Sequence, residues 1–79
     1  MKTINYKEYF GKQINWMLDP NATITLYSEK FINGHRCCLV NKNGIFGIDT
    51  FYKNGRIKDF LGCLTFDEAR EVYSNKLVF

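Results

Sequence analysis

The sequence predicts an α+β domain in which a four-stranded antiparallel meander carries two helices on one face, in the order α-β-β-β-β-α. Asn-Gly pairs recur at Asn33-Gly34, Asn43-Gly44 and Asn54-Gly55, and alternating apolar and polar residues fill the stretch from Ala22 to Leu61. Segments of helical periodicity stand on either side. Asn-Gly is the strongest short-range hairpin signal, because a type I′ turn needs positive φ at both central residues. The spacing between pairs leaves room for strands of about eight residues.

Seventy-nine residues form one domain, 1–79, at a size that buries roughly 60% of the unfolded chain's surface. With 46% hydrophobic and 16% aromatic residues, the composition is that of a packed core and excludes disorder. A net charge of +3 permits an acidic partner or nucleic acid and argues against DNA mimicry, which needs a strongly negative surface. Cys37, Cys38 and Cys63 fit neither a disulfide framework nor a zinc ribbon, so reduced thiols are expected. The N-terminal residues lack a signal-peptide h-region and no apolar run is long enough to span a bilayer. These features predict a cytoplasmic protein with no membrane partner.

The first helix is predicted over Tyr6–Leu18, with Tyr6, Tyr9, Phe10, Ile14, Met17 and Leu18 on one stripe. Asn5 and Glu8 have capping-box spacing, and Asp19-Pro20-Asn21 ends the helix. Gly11 inside it marks a close approach to the sheet, and Trp16, away from the centre of the stripe, either closes the edge of the core, the preferred reading, or stands exposed.

Two-residue turns set the register of the meander. Counting outward from them places Phe31 opposite Arg36, Arg36 opposite Phe51, and Phe51 opposite Lys58. Glu29, Cys38, Asp49 and Phe60 form the next row on that face, followed by Tyr27, Val40 and Gly47. The other face carries Ile24, Leu26, Leu39, Phe46, Ile48 and Leu61, with Cys37, Ile32, Tyr52 and Ile57 near the turns. Being the more aliphatic, it is the expected seat of both helices, which leaves the first face open. Thr65 and Glu68 form a second capping box, opening a helix over Phe66–Asn75 that is followed by an apolar tail, Leu77-Val78-Phe79.

No constellation for catalysis emerges. Asp49 and Asp59 fall on opposite faces and cannot act as an acid/base pair. His35 and Cys37 lack further ligands for a metal, the thiol of Cys38 lies among acids that would raise its pKa, and the glycines make no phosphate loop. No enzyme activity, metal or cofactor is expected. What remains is the open face, where Tyr27, Phe31, Arg36, Phe51, Arg56, Lys58 and Phe60 are the candidate partner-binding residues. Aromatic and Arg side chains suit a protein interface. The same residues, with Lys42, could stack bases and neutralise phosphates of single-stranded nucleic acid, and a homodimer is the third reading. A protein partner is preferred, because the cations on this face alternate with acids.

In size and layout the chain resembles the small phage-encoded inhibitors of bacterial defence, anti-CRISPR proteins among them. The resemblance rests on the meander with its three Asn-Gly turns and on the helices at Tyr6–Leu18 and Phe66–Asn75. It implies a non-enzymatic protein that blocks a host protein complex by steric contact in the bacterial cytosol. These inhibitors share no motif, so the resemblance transfers no residue roles, and the basic charge departs from their frequent acidic surfaces.

Overall fold

The computed structural model describes residues 2–11 and 23–75. In chain order these form β1 (Lys2–Asn5), α1 (Tyr6–Phe10), β2 (Thr23–Ile32), β3 (His35–Lys42), β4 (Ile45–Phe51), β5 (Ile57–Cys63) and α2 (Phe66–Asn75). The five strands make one antiparallel sheet in the order β1-β2-β3-β4-β5. The meander therefore gains a fifth strand at its outer edge. β1 spans four residues with only Ile4 buried, too short for its alternation to register in the sequence.

Asn5 Oδ1 accepts from the Glu8 amide at 2.7 Å, which caps α1 as its spacing implies. The described helix then stops at Phe10, five residues into the predicted thirteen. Gly11 adopts φ +63°, the left-handed conformation that commonly closes a helix, and a Cβ there would meet nothing among the described residues within 4 Å. It follows the last residue of the described helix and makes no close approach to the sheet. Trp16, the predicted remainder of the helix and the stop at Asp19-Pro20-Asn21 lie outside the described residues, as does the tail Leu77-Val78-Phe79. At α2 the predicted bounds and the observed ones coincide, with the Glu68 amide donating to Thr65 Oγ1 at 3.1 Å.

Two turns keep the predicted geometry: Asn33 and Asn43 sit at φ 53°, Gly34 and Gly44 at φ 83°. Around Asn54-Gly55 the loop is one residue longer than two. The Gly55 amide donates to the Tyr52 carbonyl at 2.9 Å and the Tyr52 amide to the Arg56 carbonyl at 2.7 Å. Phe51 consequently faces Ile57, not Lys58, and a bulge at Lys58 restores the expected pairing from Thr50–Asp59 onward. A second bulge lies between Leu26 and Ser28, so Leu26, not Tyr27, faces Val40. Beyond that bulge the side chains of β2 exchange faces.

The helices occupy opposite faces of the sheet, which corrects the expectation that they share one. Tyr6 and Tyr9 of α1 pack with Ile4, Ile24, Cys38, Val40 and Phe51, joined by Phe10, Leu26 and Phe60. On the other side Ala69 and Tyr73 of α2 pack with Cys37, Leu39 and Ile48, joined by Tyr27, Phe46 and Phe66. The bulge at Tyr27 is the physical reason. It delivers Ile24 and Leu26 to the side holding Cys38 and Val40, making both faces apolar enough to need a cover. No helix among the described residues is long and apolar enough to cross a membrane.

Candidate functional site

The face read from the sequence as open is closed by α1. Phe51 is buried against the rings of Tyr9 and Phe10, at 5.5 and 6.1 Å between centroids. Arg36 does stand beside Phe51, as the register implies, with its guanidinium 5.0 Å from the ring centroids of both Phe51 and Tyr9. Its Nε donates to Glu29 Oε2 at 2.6 Å. That guanidinium is spent on holding α1 to the sheet. Phe60 is half-buried beneath Lys42, whose Nζ lies 3.8 Å from the ring centroid. Tyr27 has crossed to the α2 side and packs on Phe66 at 4.9 Å.

Under α1 lies a buried carboxylate. Asp49 is fully buried, accepting from Tyr9 Oη at 2.7 Å and from Lys42 Nζ at 2.8 Å, so both oxygens are occupied. Burial raises its pKa from the ordinary carboxylate value, against the opposing pull of Lys42, Tyr9 and Arg36. Cys38 is likewise buried, and burial pushes its thiol up to about 12 even though Tyr9 and Arg36 act to lower it. A thiol so protonated is a poor nucleophile at neutral pH. The cluster is closed and serves packing: its polar groups satisfy one another, and Tyr9 is held as a neutral phenol by burial first and the adjacent Asp49 second. Among the described residues no three His, Cys, Asp or Glu side chains converge as a metal site.

Among the regions the fold leaves accessible is one end of the sheet. An antiparallel meander places alternate turns at the same end, so the Asn33-Gly34 turn and the loop from Tyr52 to Gly55 are neighbours. They touch: the aliphatic chain of Lys53 lies over Gly34, where a Cβ would stand 3.1 Å from Lys53 Cγ. Phe31, 65% exposed, projects from β2 at this end. Tyr52 is exposed, with its ring 6.2 Å from that of His35. Beside it Tyr52, Asn54, Arg56 and Ile57 line a shallow cleft. Lys53 and Arg56 are exposed, and neither is in an ion pair among the described residues.

Of the seven candidates, then, Phe31 and Arg56 belong to this end and Lys58 is close to it, at the bulge; Arg36, Phe51 and Phe60 belong to the α1-covered face, and Tyr27 to the α2-covered face. Tyr52 and Lys53 are the residues that sequence reasoning missed. Tyr52 reads as a core residue by alternation, and only the cations Lys53 and Arg56 flanking Asn54-Gly55 hinted at a basic turn. No family model matches the chain, and no curated protein or solved structure matches it.

Proposed function

We propose that the chain is a non-enzymatic binding protein that acts by steric contact, seating the Phe31–Tyr52–Arg56 end of its sheet on an acidic surface of a protein complex. The observation that carries this reading is Phe31, an aromatic ring 65% exposed in a part of the molecule that also presents Lys53 and Arg56. An exposed aromatic ring and exposed cations at one end of a sheet are residue types that protein interfaces favour. The exposed cations would speed encounter with an acidic partner and contribute less to its affinity. Cytosolic inhibition of a bacterial defence complex, in the manner of phage-encoded inhibitors, is the specific form of this proposal, and it rests on size and layout.

Affinity capture from nuclease-treated bacterial lysate, comparing wild type with Phe31→Ala and Arg56→Glu, tests it. A stoichiometric protein that is retained by wild type and lost in both variants is the expected result. Capture unaffected by either variant contradicts the proposal. The cleft between Tyr52 and Arg56 favours a second reading, single-stranded nucleic acid stacked on Tyr52, whose signature is affinity that falls steeply with salt.

A further inference from the structure

The two edges of the sheet are not equivalent. β1 is short, and Lys2 stands on it. β5 ends in Phe60-Leu61-Gly62-Cys63 and runs on into Leu64 without a charge or a proline. Such an edge is a template for another strand, and natural sheets ordinarily guard it. Leu61 is 47% exposed and Leu64 92%, and Ile45 of β4, 51% exposed, extends the apolar strip beside Gly62.

The backbone register tells which groups face outward. A two-residue turn is closed by a hydrogen-bonded pair, here Lys42 and Ile45, and the pattern alternates from there. Phe46 and Ile48 therefore bond to Cys63 and Leu61. The N–H and C=O groups of Phe60 and Gly62 point away from the sheet.

We infer that β5 pairs edge to edge with β5 of a second copy of this chain, antiparallel about Gly62, to form a continuous ten-stranded sheet. The stretch is an apolar palindrome about that glycine. Two-fold pairing sets Gly62 against itself, Phe60 against Leu64 on the α1 side, and Leu61 against Cys63 on the α2 side. Asp59 meets Thr65, so no like charges are opposed. Charge complements the apolar match: the basic beginning of β5, with Lys58, runs alongside the far end of its mate, where α2 opens with the exposed Asp67 and Glu68. The self-complementary surface is isologous, and two-fold closure covers the β5 edge of both copies.

Sedimentation equilibrium and amide hydrogen exchange on the full chain test this. Wild type should sediment at twice its 9.3 kDa mass, with the Phe60 and Gly62 amides slowing as concentration rises. Leu64→Lys, at a side chain too exposed to affect folding, should weaken the dimer at least tenfold, and Leu61→Lys should do the same. A wild type that remains a monomer at the concentrations used for NMR overturns the inference, and so does a dimer indifferent to Leu64→Lys. The inference is independent of the proposed binding end, since Phe31→Ala should leave sedimentation unchanged.

Discussion

The hydroxyl of Tyr9 donates to Asp49 Oδ2 at 2.7 Å, tying α1 to the middle of the sheet across a sequence separation of 40 residues. Lys42 holds the other oxygen at 2.8 Å. Tyr9→Phe removes one donor and leaves the buried carboxylate half-satisfied, with an expected loss of about 1–3 kcal/mol in urea denaturation. Lys42→Met removes the only cation bonded to Asp49 among the described residues and should cost more, about 3–5 kcal/mol, because a buried charge is then left uncompensated. Equal effects would mean that the ion pair contributes nothing beyond the neutral hydrogen bond.

Gly47 is the second point at which this face is tightly specified. A Cβ there would stand 2.6 Å from the ring of Phe60 and would meet the Leu61 carbonyl oxygen, so something must move. The carbonyl belongs to the β4–β5 ladder and cannot swing aside. Gly47→Ala should cost at least about 1–3 kcal/mol by overpacking and displace Phe60 from beneath Lys42, read as a fall in melting temperature and a shifted aromatic resonance.

Alkaline pH should destabilise the fold through Cys38. Its folded pKa, pushed up to about 12 by burial, lies above the value near 8.5 of an exposed thiol. A raised folded pKa means that the folded state holds its proton longer. The contribution to stability is therefore complete below about pH 8.5 and is lost as pH rises towards 12. Cys38→Ala should show a shallower fall in stability between about pH 8.5 and 10 than wild type. The slope is the readout, since the substitution also lowers stability at every pH by removing core volume.

The local signals in the sequence were sufficient for most of the fold. Asn-Gly at 33 and 43, the caps Asn5 and Thr65, and the span of α2 all follow from chemistry within a few residues. Pairings that depended on an uninterrupted count went wrong wherever one residue was inserted. The bulge at Tyr27 sent Ile24 and Leu26 to the other face, and the longer loop before Arg56 set Phe51 against Ile57 until the bulge at Lys58 compensated. Neither bulge carries a glycine or proline to announce it. The candidate site changes accordingly: with both faces apolar each carries a helix, so Arg36, Phe51 and Phe60 lie on the face that α1 covers. Phe31 and Arg56 stayed accessible because they lie at the end of the sheet, beyond what the helices cover.

Phe31 separates binding from stability. Being mostly exposed, it should tolerate Ala with a stability change within about 0.5 kcal/mol, while Phe51→Ala, two strands away and fully packed, should cost about 3–5 kcal/mol. Urea denaturation of both variants gives the comparison.

The most direct measurement is site-specific photo-crosslinking in bacterial lysate, with a benzophenone side chain placed at position 31 at one end of the sheet or at position 64 towards the other. Crosslinking to a host protein from position 31, with position 64 joining only two copies of this chain, is the predicted result. A host protein captured only from position 64, or from neither position, would contradict the assignment of binding to the Phe31 end.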